Sequence, residues 1–121
     1  SNYYGYRLPT DWEWQAVADY DGSFTYGCGT SIDLSKANYG KTNPLGLTSY
    51  PYTSPVGYYP AYGYGMCDMA GNVWEWTSTD DSGSRGLRGG CWGDSGGVPV
   101  SLRSGDYPYL MARHAGFRVC R

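Results

Sequence analysis

The sequence predicts a single α+β domain with one clear helix near its N-terminus, a small twisted antiparallel sheet and much irregular chain. Three observations carry this expectation. A chain of 121 residues falls in the ordinary size range of one domain and can bury a modest core. Its 19 glycines and 14 tyrosines describe a loop-rich architecture whose irregular segments are pinned by large amphipathic rings. Helix and strand signals occur at only a few places, and between them residues 29–64 are dominated by Gly, Pro, Ser, Thr, Asn and Tyr.

The elements follow in order. Thr10 and Glu13 match the S/T-x-x-E capping box, in which each side chain satisfies a free amide at a helix start. The helix runs to about Asp19, with Trp14, Val17 and Ala18 as its inward stripe at i, i+3 and i+4. Asp21-Gly22 breaks it, and residues 23–28 form a short strand. A stretch as long and irregular as 29–64 belongs in a compact domain when it is functional or strongly packed; Ile32, Leu34, Val56 and several tyrosines are its expected anchors. Asp68, Gly71 and Asn72 supply turn chemistry. Residues 73–77 then read as a strand. Period two puts Trp74 and Trp76 on one face, expected to be an aromatic core, and Val73, Glu75 and Thr77 on the other. After a polar turn at 80–86, residues 86–92 form a second core strand and 116–121 a closing strand.

Composition narrows the function. A net charge of −2 gives no polyanion surface, so nucleic acid is excluded as the expected partner. No apolar run approaches the roughly 20 residues of a membrane span. Cys28, Cys67, Cys91 and Cys120 allow three pairings, but none forms a C-x-x-C, which argues against a zinc ribbon or a redox dithiol. The favoured reading is four small buried thiols.

The central stretch GMCDMAGNVWEWT at 65–77 resembles a signature of the formylglycine-generating-enzyme, or sulfatase-modifying-factor, family. So do YRLPTDWEW at 6–14, ANYG at 37–40, SPVGYYP at 54–60, LRGGCW at 87–92, RSG at 103–105 and GFRVCR at 116–121. Order and spacing of these blocks fit across nearly the whole chain. The resemblance implies a variant of the C-type lectin fold, with 1–121 as one domain. It brings Cys91 and Cys120 onto neighbouring strands, where they could bridge. It also offers two functional classes. Oxidases of the family, acting on protein cysteine, use a copper-binding cysteine pair just after the Gly-Gly strand. Here those positions fall at about Asp94 and Pro99, so the soft ligands for Cu(I) are missing. The related iron enzymes need several histidines, and this chain has one, His114.

The other class is non-catalytic: the variable proteins of diversity-generating retroelements, which display diversified residues between the Gly-Gly strand and the GFR strand. That segment is 93–115 here. Diversification acts mainly on AAY codons, giving NNY codons that cannot encode Lys, Glu, Gln, Met or Trp. The segment contains none of these except Met111, which would lie outside the randomised codons. The expected ligand-binding residues are Asp94, Ser95, Val98, Ser101, Asp106, Tyr107, Tyr109, Leu110 and His114. Tyrosines supply rigid contact area and small polar residues adaptable hydrogen bonds. Arg103, Gly116, Phe117 and Arg118 match the scaffold. The resemblance further implies a structural calcium ion held by Asn72 and Glu75 side chains and the Ala70 and Val73 carbonyls, since calcium takes hard oxygen ligands. The expected function is binding of a protein or cell-surface ligand. An upstream targeting segment would place the domain on a cell surface or virion.

Overall fold

The computed structural model describes residues 5–95, 97–106 and 114–121. Helix α1 spans Asp11–Ala18, and both halves of the capping box form. Glu13 N–H donates to Thr10 Oγ1 at 3.2 Å, and Thr10 N–H donates to Glu13 Oε1 at 2.8 Å. The Glu13 carboxylate also takes two 2.7 Å hydrogen bonds from the Arg7 guanidinium. Together these hold its pKa down at about 2. A depressed folded pKa contributes stability above the unfolded value and loses it as pH falls. Wild type should therefore lose this contribution between the ordinary 4.5 and about 2. Glu13→Gln should lack that part of the acid limb in urea unfolding midpoints measured from pH 6 to pH 2. Superimposable acid limbs would show that the contact contributes nothing.

Four strands follow: β1 Trp74–Asp81, β2 Ser84–Arg88, β3 Arg103–Asp106 and β4 Ala115–Gly116. Their order in the sheet is β3-β2-β1-β4. The β1–β2 and β2–β3 pairings are antiparallel, as expected, and β4 joins β1 in parallel through Trp74↔Ala115 and Glu75↔Gly116. The closing segment is thus shorter than the six-residue strand expected; its continuation makes one further bridge, Arg7↔Cys120. Residues 23–28 make only isolated bridges from Tyr26, to Gly29 and Pro99.

Helix α1 packs across β1 and β2. Trp14, Ala18, Met69 and Val100 form one apolar cluster; Cys28, Ala37, Ala70 and Val98 form a second beneath the long loops. Ile32 packs against the second cluster, but Leu34 and Val56 are exposed and anchor nothing.

The faces of β1 are the reverse of expectation. Glu75 and Thr77 are buried, while Trp74 and Trp76 are half-buried. The polar face can point inward because its groups are satisfied there. Thr77 Oγ1 donates to Gly86 O at 3.0 Å. Glu75 accepts from Trp14 Nε1 at 3.0 Å and from both Nε and Nη2 of Arg118. A second ion cluster joins helix to sheet. Asp11 Oδ1 lies 2.9 Å from Arg88 Nε and Asp11 Oδ2 lies 3.0 Å from Arg103 Nε. Arg103 and Arg118 are therefore scaffold, as the resemblance implied.

Candidate ligand-binding site

A cleft among the described residues is built by the loops at the end of β2 and the edges of β1 and β3. It encloses about 560 Å³. Backbone hydrogen bonds stitch its rim. Trp92 N–H donates to Asn72 O, Lys41 N–H to Trp92 O and Gly40 N–H to Asp94 O, at 2.9, 2.8 and 2.7 Å. Asn72 N–H in turn donates to Asn38 O at 2.8 Å. The Asn38 side chain, fully buried, donates to Tyr52 O at 2.8 Å. This brings the 50–52 loop against residue 92.

The result is an aromatic ledge. The Tyr50 ring stacks on Trp92 with centroids 5.1 Å apart and planes 25° apart. Tyr52 packs against both rings at 4.6 and 5.4 Å. His114 lies parallel to Trp92, with an angle of 12° and centroids 6.1 Å apart. Trp74 and Ser104 complete the walls.

The structure sorts the expected binding residues. Asp94 and His114 line the cleft. Asp94 also has a structural duty, because its Oδ2 accepts the Cys91 N–H at 2.7 Å. Ser95 and Ser101 are exposed. Val98 is a correction: it is completely buried in the second apolar cluster, with its side chain against Gly90, and presents nothing to a ligand. An apolar residue in an otherwise polar segment was serving the core. Asp106 ends β3; Tyr107, Tyr109 and Leu110 lie outside the described residues. Sequence reasoning missed Tyr50, Tyr52, Trp92, Lys41 and Ser104. The first two had a signal, a Tyr-Pro-Tyr cluster in a long irregular stretch, but their approach to Trp92 depends on a buried amide at Asn38 that no local pattern announces.

The two side chains expected to hold calcium have other partners. Glu75 faces the Arg118 guanidinium. Burial pushes its carboxyl pKa up, against the opposing pull of Arg118. Asn72 Oδ1 accepts from Ser54 N–H at 2.9 Å and is approached by Ser54 Oγ and Asn38 Nδ2 at 3.3 Å. A divalent ion here would have to displace N–H donors from Asn72 and sit beside a fixed cation, so the residues as arranged do not fit it. Among the described residues there is also no group of three or more His, Cys, Asp and Glu able to hold a metal.

All four cysteines are free thiols. Cys28 and Cys91 are buried; Cys67 and Cys120 are half-buried. Burial pushes the Cys91 thiol up to about 11. A thiol with that pKa offers almost no thiolate near neutral pH, the form that acts as nucleophile or metal ligand.

Residues 1–121 match the Sulfatase-modifying factor enzyme 1-like domain. The chain belongs to that family. It is similar to part of the serine/threonine-protein kinase pkn1 of Chlamydia caviae, 37% identical over 76% of this chain and 17% of that protein. It is 41% identical to the formylglycine-generating enzyme of Mycobacterium tuberculosis over 63% of this chain and 28% of that one. It is also 32% identical to the inactive C-alpha-formylglycine-generating enzyme 2 of Bos taurus, over 94% of this chain and 43% of that one. Among solved structures, Treponema denticola variable protein 1 superposes with a TM-score of 0.77 at 25% identity, covering 94% of this chain and 46% of that one. The fold is therefore the C-type-lectin-like one of formylglycine-generating enzymes and variable proteins. The chain spans less than half the length of each of these relatives. No helix among the described residues is long and apolar enough to cross a membrane.

Proposed function

We propose that the domain is a non-catalytic ligand-binding module. The aromatic ledge of Tyr50, Tyr52 and Trp92 is the fixed floor of its site, and segment 93–115 supplies a diversified rim. The observation that carries this reading is the chemistry at the positions of the oxidases' cysteine pair. Asp94 spends a carboxylate oxygen on the Cys91 amide. Pro99 bridges Tyr26 through its backbone. The one thiol beside them, Cys91, is buried and held protonated. What remains is a concave surface with rigid aromatic area and a few polar groups, the usual make-up of a recognition site. The likeness to a variable protein and to an inactive relative supports the same reading. The competing reading, part of an oxidase acting on protein cysteine, draws on the identity to formylglycine-generating enzyme.

Sequencing this gene's 3′ region across its source population separates the two. A diversified binder will show substitutions clustered in codons 93–115, with 87–92 and 116–121 unchanged. Within the cluster Val98 and Val100 will stay apolar, because both are buried, while Ser95 and Ser101 vary. Sparse variation spread evenly along the gene would sink the proposal.

A further inference from the structure

A smaller pocket shares no lining residue with the cleft. It encloses about 140 Å³, roughly the space of four or five waters, which suits one inserted side chain. Its lining includes Val56, Asp68, Asn72, Glu75, Phe117 and Arg118. Two of these are apolar residues that the fold leaves unused: Val56 is 90% exposed and Phe117 71%. An exposed apolar residue standing singly needs no explanation, but these two border one pocket. The rest of the wall is charged. The Glu75 carboxylate and the Arg118 guanidinium face each other and cancel. Asp68 makes no ion pair among the described residues. One of its oxygens accepts Gly57 N–H at 2.9 Å; the other has no hydrogen-bond partner among the described residues. Its charge lies within reach of both Glu75 and Arg118, so the pocket holds one carboxylate in excess.

The geometry points to a lysine side chain of a protein partner as the occupant of this pocket: its alkyl stem lies between Val56 and Phe117 and its ammonium meets the free oxygen of Asp68. An anion would be repelled by the excess carboxylate, and a wholly apolar group would leave that carboxylate desolvated and unpaired. An ammonium is a point charge that one oxygen can serve, whereas the fork of a guanidinium is matched to two. The open Phe117 ring adds attraction for a cation. Calcium stays disfavoured, since Asn72 and Glu75 spend their oxygens on other donors. The inference rests neither on the cleft nor on diversification of segment 93–115, so it fails or stands apart from them.

Two capped pentapeptides test it: one with lysine between paired glycines, and its twin with norleucine in place of the lysine. Each is titrated into the ¹⁵N-labelled chain at low salt, with amide shifts as readout. The lysine peptide should shift the amides of Gly57, Asp68, Val73 and Arg118 saturably in the millimolar range, as suits so small a ligand. It should bind about two- to fivefold more tightly than the norleucine peptide, the ratio of a modest ion pair, and added salt should narrow that ratio. Asp68→Asn should bring the two peptides level. This change keeps an oxygen for Gly57 N–H and suits the backbone, because residue 68 has φ of +58°, a conformation that asparagine adopts more readily than most residues. Phe117→Ser, at an exposed ring, should weaken both peptides by a similar factor. Equal binding of the two peptides to wild type, an unchanged ratio in Asp68→Asn, or saturable shifts of these amides with calcium chloride would each overturn the inference. So would shifts with pentylammonium but none with the lysine peptide, which would make the pocket a site for free amines.

Discussion

Asp11→Ala will destabilise the domain by about 3–5 kcal/mol in urea unfolding, the cost of breaking a buried ion pair from one side. The reason lies in what is left behind. The Arg88 side chain is wholly inaccessible, and Asp11 is the acid 2.9 Å from its Nε. Burial already pushes the Arg88 guanidinium pKa down, with Asp11 pulling the other way. The remaining contacts are a hydrogen bond to Gln15 Oε1 and the face of Trp14, 5.3 Å from the guanidinium carbon. Neither carries a countercharge. Among the described residues, Arg88 Nη1 has no hydrogen-bond partner. The double change Asp11→Leu with Arg88→Met should recover most of the loss, because removing both charges removes the desolvation penalty as well. A cost below about 1 kcal/mol for Asp11→Ala, in the range of exposed pairs, would refute this account of the helix–sheet junction.

Gly71→Ala is the second large effect, expected at about 3 kcal/mol. Residue 71 has φ of +74°, which costs an L-residue roughly 1–2 kcal/mol. A methyl there would also stand 2.3 Å from Asn38 O and 3.0 Å from Asn38 C. Both are backbone atoms in a segment fixed by the Asn72–Asn38 and Gly71–Gly89 hydrogen bonds, each 2.8 Å. Relief of such overpacking typically costs about 1–3 kcal/mol. Gly65→Ala is the control: its φ is +81° but no atom lies within 4 Å of the added methyl, so only the backbone cost should appear. Equal losses at the two positions, read from urea midpoints, would show that the close approach to Asn38 does not matter.

What could be read in advance was whatever depends on neighbours in sequence. The Thr10–Glu13 cap, the Trp14 and Ala18 stripe and the turn at Gly71-Asn72 are local, and each forms as their residue types require. The faces of β1 were misread because alternation states only that two faces exist. Which one goes inward was decided by Trp14 and Arg118, 61 and 43 residues from Glu75. The site divides in the same way. Asp94 and His114, which line the cleft, could be singled out because the segment that holds them stands between two recognisable strands. The ledge was not, because Tyr50 and Trp92 are 42 positions apart and meet through the Asn38 amide. Val98 shows the converse error, a buried anchor mistaken for surface because its neighbours in sequence are polar.

The strand order also has a kinetic consequence. The β1–β2 hairpin joins strands separated by two residues, and β3 adds to β2 from nearby in sequence. β4 reaches β1 only by closing some 40 residues, from Trp74 to Ala115. Because loop-closure entropy must be met before a distant contact rewards it, the parallel pairing of β4 belongs late in folding. β3 and β4 lie at opposite margins of the sheet, three strand spacings or ~14 Å apart. The nucleus can therefore assemble before β4 is in place. Changes in β4 would be felt mainly in how fast the finished domain opens, and little in how fast it forms.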